Sequence, residues 1–214
     1  MLETFMRLFL EYNQKVNLIS RNDSEYLFEK HIYDSLSINL FLQRYVSENK
    51  VRMLDIGTGG GFPSIPVAIC IDRSDVTAVD STLKKIKFLE YIKEELALKN
   101  LHPVCKRAEE LAYRGKFDVS VSRAMSELRV ILEYAIPYLK EGGFFAAYKS
   151  IKADEEIKNA KNALKVLNCE IVDKIEYKLP IEEENKRVLI IVRKNSETES
   201  IYPRKNGMIS KKPL

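Results

Sequence analysis

Two hydrophobic patterns divide the chain near residue 50. Upstream, apolar residues recur every three or four positions from Leu2 to Leu10, and again, less regularly, from Tyr26 to Ile38 and on into residues 39–46. This spacing predicts amphipathic helices. We therefore expect residues 1–50 to form an N-terminal helical extension, or cap.

Downstream, short apolar strands alternate five times with amphipathic helices. The five strand segments are VRMLDIG, VTAVDS, PVCKR, FDVSVSRA and GGFFAAYKS. Such alternation predicts crossover connections and a mainly parallel sheet covered by helices on both faces. Two further strands, CEIVDKIEYKL and RVLIIVRK, are separated only by a short acidic loop at 181–185, so they should pair antiparallel at one edge. The expected fold is an α/β domain over residues 51–194 with a seven-stranded sheet.

The net charge of +4 is concentrated at the C-terminus. Residues 202–214 hold four basic side chains and no acid, whereas the rest of the chain is balanced. The two prolines and the glycine of this segment predict that it is not helical, and we treat residues 195–214 as a basic tail. Such a tail either contacts phosphates or is a solvated, disordered end. Its basic residues are Arg204, Lys205, Lys211 and Lys212.

Composition excludes several classes of protein. The chain has 31% charged residues and no apolar run near the roughly 20 residues that cross a bilayer, so we predict no membrane segment. Its start lacks a signal-peptide cleavage site, and we expect a cytoplasmic protein, which we treat as a monomer. Cys70, Cys105 and Cys169 lack metal-ligand spacing among themselves and to the two histidines. We therefore expect buried, reduced thiols and no metal site.

A glycine-rich motif follows the first strand. Asp55, Gly57, Gly59 and Gly61 form a D-x-G-x-G-x-G pattern between a strand and a helix. Glycines at this place let the chain turn tightly and let a ligand approach the backbone. Phe62 stands where a dinucleotide fingerprint requires a small residue, and no P-loop signature follows. The motif resembles instead the methyltransferase motif for S-adenosylmethionine, a cofactor without phosphates.

Two more acidic positions extend this site. Asp80 ends the second strand, 25 positions after Asp55, close to the ~20 expected of an acid that binds ribose hydroxyls. After the third strand, Ala108 and Glu109 begin a loop in which a backbone amide and a carboxylate can meet an adenine. The alternative for Glu109 is an exposed acid beside Glu110.

The motifs taken together resemble the RsmG (GidB) family, the guanine-N7 methyltransferases of small-subunit (16S) ribosomal RNA. The resemblance runs from about Tyr12 to the C-terminus, and the set of motifs is specific although no single one is. It implies a class I, Rossmann-like fold and cofactor contacts at Gly57, Phe62, Ala108, Glu109 and Arg123, and it makes the tail an RNA contact. The motifs are residues 57–63, Asp80-Ser81, 107–109, Ser122-Arg123-Ala124, 31–35, Asn17-Leu18 and 202–205.

The chemistry that the sequence favours needs no general base. Guanine N7 carries a free lone pair and no proton, so the protein has mainly to place it near the methyl group. In agreement, the chain has no N/D-P-P-[YF] motif and no loop cysteine of the kind that attacks a pyrimidine ring. Arg123 ends the fourth strand and either donates to guanine O6, a phosphate or the cofactor, or forms an ion pair with Asp118 or Glu127. Lys149 ends the fifth strand and is expected to hold RNA.

Other assignments stay open at this point. His31 and Asp34 share a helix face and either pin the cap over the cofactor pocket or have ordinary structural roles. Phe62 and Tyr148 either stack on a splayed base or belong to the core. A methyltransferase of a small molecule or protein, and a non-catalytic RNA-binding assembly factor, remain the competing hypotheses for the whole chain.

Overall fold

The computed structural model describes residues 1–150, 153–181, 186–205 and 207–214. Its centre is the seven-stranded sheet that the sequence predicts. The strands are β1 (Val51–Ile56), β2 (Ser74–Asp80), β3 (Leu101–Cys105), β4 (Phe117–Arg123), β5 (Leu139–Ser150), β6 (Cys169–Lys178) and β7 (Lys186–Lys194).

The strand order is β3-β2-β1-β4-β5-β7-β6. The first five strands are parallel, and β7 runs antiparallel to both β5 and β6. The α/β class and the antiparallel pair are thus confirmed, while the insertion of β7 between β5 and β6 was not predicted. Residues 182–185 of the acidic loop lie outside the described residues. Because the chain order reverses between β1 and β4, a crevice opens at the carboxyl ends of these two strands.

Ten α-helices and a π helix in the described part of the chain surround the sheet. They are α1 (Leu2–Val16), α2 (Arg21–Ser24), the π helix (Leu27–Tyr33), α3 (Asp34–Leu36), α4 (Ile38–Tyr45), α5 (Ser64–Cys70), α6 (Leu83–Glu95), α7 (Leu128–Ala135), α8 (Ala153–Asn159), α9 (Lys161–Val166) and α10 (Met208–Lys211). The second helix predicted for the cap is therefore broken into several pieces. Its π segment is notable because such turns occur frequently at functional sites.

The cap belongs to the hydrophobic core. One face of the sheet is covered by α1, the π helix, α4, α5 and α6, and the other by α7 to α10. Phe9 of α1 lies 5.2 Å from Phe62 and 5.5 Å from Phe88, ring centre to ring centre. Burying such rings contributes about 1.5–3 kcal/mol each. The division at residues 50 and 195 stays a prediction about domain organisation.

Two expectations about the chain are wrong. Residues 208–211 form a short helix, α10, between Gly207 and the last proline, so the tail is not free of helix. Cys70 and Cys105 are exposed, and only Cys169 is buried as expected.

The described residues contain no group of His, Cys, Asp and Glu that could hold a metal ion. None of the helices in the described ranges is long and apolar enough to cross a membrane.

Candidate cofactor and acceptor site

Asp55 stabilises the glycine loop, residues 57–61, through a buried hydrogen bond to the helix that follows the loop. This side chain at the end of β1 is fully buried and accepts a hydrogen bond of 2.6 Å from the Ser64 hydroxyl at the start of α5. Ser64 in turn accepts one from Thr58 at 3.1 Å. Burial raises the pKa of Asp55 to about 7, although the bond from Ser64 opposes this shift. Asp55 therefore fixes the loop, and its side chain lies outside the two cavities described below.

The three glycines of the motif have different roles. Each has a positive φ: 75° at Gly57, 57° at Gly59 and 89° at Gly61. A Cβ on Gly57 would lie 2.5 Å from the sulfur of Met125, and one on Gly61 would lie 2.3 Å from Cδ1 of Ile65. A Cβ on Gly59 would meet only a backbone oxygen at 3.9 Å. Tight packing against the buried Ile65 therefore requires glycine at position 61. The partly exposed Met125 side chain can move away from position 57, where the positive φ is what favours glycine, and Gly59 adjoins open space.

Asp80 joins the glycine loop to the second strand end. Its Oδ2 accepts from the backbone N–H of Gly59 at 3.1 Å and from Lys85 at 3.2 Å, and its Oδ1 accepts from the N–H of Thr82 at 2.8 Å. The side chain is 8% exposed and faces a cavity. Its remaining acceptor capacity is available to a ligand that lies against the loop.

This cavity, here called the switch-point pocket, lies at the crevice between β1 and β4 and has a volume of about 380 Å³. That volume lies within the range of small-molecule sites. The pocket brings together five of the predicted residues: Gly57, Asp80, Ala108, Glu109 and Arg123. Asp55, Gly61 and Phe62 are buried and do not line it, whereas Gly59 is half-buried beside Asp80 and adjoins open space. Its other lining residues include Ile56, Val79, Ser81, Thr82, Lys85, Lys106, Arg107, Ala124, Met125 and Tyr134.

The loop after β3 forms the outer side of this pocket. Ala108 is buried, and its carbonyl accepts a hydrogen bond from the Tyr138 hydroxyl. Glu109 is half-buried, whereas Glu110 is exposed, so the two acids are not equivalent. The Oε1 atom of Glu109 is buried and has no partner among the described residues. An acceptor of this kind is costly unless a ligand supplies a donor.

Arg123 also lines this pocket and is held by the cap. Its guanidinium donates to Oδ2 of Asp34 at 2.9 Å, to the carbonyl of Lys30 at 2.9 Å and to Nδ1 of His31. The alternative of an ion pair with Asp118 or Glu127 is wrong, because those acids pair with Lys140 and Arg129. The hypothesis that His31 and Asp34 fix the cap at the site is supported.

The environment of His31 keeps its ring neutral. Burial, reinforced by the positive charge of Arg123, lowers the pKa of His31 to about 4. Because a guanidinium only donates, Nδ1 accepts and the proton of the neutral ring is on Nε2. The ring lies 5.0 Å from that of Phe62, so Phe62 packs beneath the cap as a core residue.

A second cavity, here called the acceptor pocket, has a volume of about 560 Å³ and shares Arg123, Ala124 and Met125 with the first. Lys149 lies in it with a largely buried side chain, 2.6 Å from Oε2 of Glu156, and donates to the Ser126 carbonyl. Tyr148 also lines it and donates to the carbonyl of Ser35 at 2.6 Å. Its other lining residues include Asp23, Lys30, His31, Asp34, Ser150 and Arg187.

The predicted tail residues divide into two groups. Arg204 donates to both carboxylate oxygens of Glu133, at 2.8 and 2.6 Å, and Glu133 has no exposed surface. Lys205, Lys211 and Lys212 are exposed. The structure thus leaves three of the four tail cations at the surface and places the fourth in an internal ion pair.

Sequence reasoning missed several residues of the two pockets. Met125 lies between them, and Tyr134 closes the switch-point pocket from α7. Neither belongs to a recognisable motif. Lys85 carried a weak signal, because it follows Asp80 at the start of the next helix, where it reaches the carboxylate.

The strand order, the glycine loop and the acidic strand end define a class I S-adenosylmethionine-dependent methyltransferase. The fold matches the crystal structure of an S-adenosylmethionine-dependent methyltransferase from Clostridium acetobutylicum ATCC 824. That match has a TM-score of 0.60 and 16% sequence identity, and it covers 82% of this chain and 99% of that one.

The family follows from sequence comparison. The family model GidB, described as rRNA small subunit methyltransferase G, matches residues 1–189. A relative from Streptococcus pyogenes serotype M12 (strain MGAS2096), named ribosomal RNA small subunit methyltransferase G, is 40% identical over 99% of this chain and 90% of its own length. One of the same name from Streptococcus sanguinis (strain SK36) is 39% identical over the same shares. The chain belongs to the GidB family.

The residues at the switch-point pocket fit S-adenosylmethionine. Asp80 keeps acceptor capacity beside the glycine loop, which suits ribose hydroxyls, and the orphaned Oε1 of Glu109 suits an exocyclic amine. The pocket is lined by Gly57, whose positive φ favours a residue without a Cβ. No phosphate-binding loop is needed for this cofactor, in keeping with Phe62 after the glycines.

Proposed function

We propose that the chain transfers the methyl group of S-adenosylmethionine to N7 of a guanine in small-subunit ribosomal RNA. The observation that carries this proposal is the shared wall of the two pockets at Arg123, Ala124 and Met125. A cofactor in one pocket and a base in the other would meet there. Family membership and the names of the relatives support ribosomal RNA as the substrate.

The acidic groups of the acceptor pocket support an acceptor that needs no deprotonation. Asp23 interacts with Ser20 and Lys30, Asp34 accepts from Arg123 and Tyr177, and Glu156 accepts from Lys149. His31 is neutral at pH 7, but its Nδ1 is used by Arg123. A ring nitrogen with a free lone pair, such as guanine N7, requires only placement.

Within this proposal the cofactor-binding residues are Gly57, Asp80, Ala108, Glu109 and Arg123 at the pocket, with Asp55, Gly59, Gly61 and Phe62 supporting the loop. S-adenosylmethionine supplies an electrophilic methyl group on a sulfonium. Lys149 in the acceptor pocket and the exposed tail lysines would hold the RNA. The proposal also places the protein in the cytoplasm with its substrate, acting as a monomer.

The test is methyl transfer from labelled S-adenosylmethionine to small-subunit ribosomal RNA, free or in particles, from cells that lack this protein. The product is mapped by strand cleavage at 7-methylguanine. One labelled guanine is expected. Label at another atom would contradict N7 as acceptor, and no incorporation despite cofactor binding would contradict this RNA as substrate.

A further inference from the structure

The C-terminal tail is attached to the body of the protein by several internal contacts. Tyr202 and Ile209 are buried in the same hydrophobic cluster as α7. The guanidinium of Arg114 donates to the carbonyls of Thr198 at 2.7 Å and Glu199 at 3.1 Å, and also to that of Tyr202. The described residues of this segment, 195–205 and 207–214, are therefore packed into the fold, which the hypothesis of a solvated end did not anticipate.

The central contact of the tail is the pair formed by Arg204 and Glu133. The backbone N–H and Nε of Arg204 both donate to Oε1 of Glu133, and Nη2 donates to Oε2 at 2.6 Å. The same Nη2 also donates to the carbonyl of Lys212 at 2.9 Å, which closes the tail on itself. Since Glu133 is completely buried, loss of Arg204 would leave an unpaired internal charge.

The next residue of α7 connects this contact to the switch-point pocket. Tyr134 lines the pocket, and its hydroxyl shares a hydrogen bond with the side chain of Ser210 in α10. Four residues later, Tyr138 donates to the carbonyl of Ala108. The segment 133–138 thus contacts the tail on one side and the Ala108–Glu109 wall of the pocket on the other.

We propose that the tail positions the outer wall of the cofactor pocket, with Arg204 and Ser210 as positioning residues that act through Tyr134. Neither residue lines the pocket itself. The inference rests on the proposed placement of the cofactor in the switch-point pocket. It gives the tail a role in cofactor affinity that is separate from any contact of its lysines with RNA.

The test measures binding of S-adenosylmethionine and of S-adenosylhomocysteine to the full-length protein by calorimetry. Ser210→Ala removes the hydrogen bond between this side chain and Tyr134, which corresponds to a rise in Kd of about threefold to tenfold. Tyr134→Phe removes the hydroxyl itself and should raise Kd at least as much. The double variant should bind no more weakly than Tyr134→Phe alone, because Ser210 acts through the hydroxyl that this substitution already removes. Met208→Ala, on the exposed side of the same short helix, is the matched control and should bind normally.

Two further measurements separate positioning from general stability. The thermal midpoint of Ser210→Ala without cofactor should fall by no more than about 2–4 °C, because only one hydrogen bond is lost. Arg204→Lys keeps the charge but loses the paired donors, so it should bind cofactor more weakly than Lys205→Ala. Unchanged affinity in Ser210→Ala, or additive losses in the double variant, would overturn the inference.

The Asp80→Asn variant distinguishes a failure of the proposed role of the tail from a failure of the proposed cofactor site. If Asp80→Asn weakens cofactor binding strongly while Ser210→Ala has no effect, the pocket stands and the role of the tail is refuted. If Asp80→Asn binds normally, the placement of the cofactor is wrong. Both variants are compared at the same temperature and salt.

Discussion

Arg123 and Asp34 are 89 positions apart in the chain and form an ion pair of 2.9 Å between the end of β4 and the cap. The other oxygen of Asp34 accepts from the Tyr177 hydroxyl on β6 at 2.6 Å. Cap, central sheet and sheet edge therefore meet at one carboxylate. Because Arg123 is in the wall shared by both pockets, this pair fixes the site geometry as well as the fold.

Removing this ion pair should be costly. Arg123→Met leaves Asp34 largely buried without its cation, and we expect a loss of about 3–5 kcal/mol in the free energy of unfolding. A double-mutant cycle with Asp34→Asn, measured by urea denaturation, should show strong coupling. Arg129→Met is the control, because its pair with Glu127 is exposed and should contribute at most about 1 kcal/mol. Equal losses in the two Met variants would contradict this account.

The lowered pKa of His31 predicts a pH dependence of stability. The folded state holds the ring neutral down to about pH 4, whereas the unfolded chain takes up its proton near pH 6.5. The contribution of His31 to the free energy of unfolding is therefore fully present above pH 6.5. It falls by about 3 kcal/mol as the pH decreases to 4. Asp55 has the opposite effect: its pKa is raised to about 7, so its contribution to stability is lost as the pH rises toward 7.

The contribution of His31 to this pH dependence is obtained by comparing the unsubstituted protein with a His31→Asn variant. His31→Asn keeps an acceptor for Arg123 and does not titrate, and Asp55 is common to both proteins. The stability of the unsubstituted protein relative to this variant should fall between pH 6.5 and 4. An NMR titration of the imidazole should independently show His31 neutral at pH 6, with His102 as the second resonance. A protonated His31 at that pH would contradict the prediction.

The parts of the structure that depend on local pattern could be predicted from the sequence. Strand alternation gave the sheet, and the glycine motif with Asp80 located the pocket, because parallel strand ends converge. The partner of Arg123 could not be found this way, since it depends on how a distant cap packs. The ion pair of Arg204 could not be predicted either. A basic segment rich in proline and glycine resembles a free tail unless the position of the buried Glu133 is known.

The glycines of the motif should respond differently to substitution. Gly59→Val places its side chain in open space beside Asp80, so the fold should survive with a loss of about 1–2 kcal/mol for the positive φ, while cofactor binding fails. Gly61→Ala should instead destabilise the fold further, because its Cβ collides with the buried Ile65. Calorimetry and urea denaturation separate the two effects. Normal cofactor binding by Gly59→Val would refute the assignment of this loop.

The exposed tail lysines should contribute to RNA affinity through charge alone. Each phosphate contact changes the slope of log affinity against log salt by about 0.7 for single strands and 0.9 for a duplex. Replacing Lys205, Lys211 and Lys212 with alanine should therefore flatten the slope by about 2 to 3. Arg204 is left out because it is paired with Glu133.

The control for this measurement uses lysines on the opposite side of the sheet. Lys84, Lys87 and Lys99 lie in or after α6 and are exposed, and replacing them removes the same charge. Filter binding of small-subunit ribosomal RNA across a salt series should show a flatter slope for the tail variant alone. If both triple variants change the slope equally, net charge explains the effect and the tail is not an RNA contact. If neither does, the lysines are solvated and the RNA is held elsewhere.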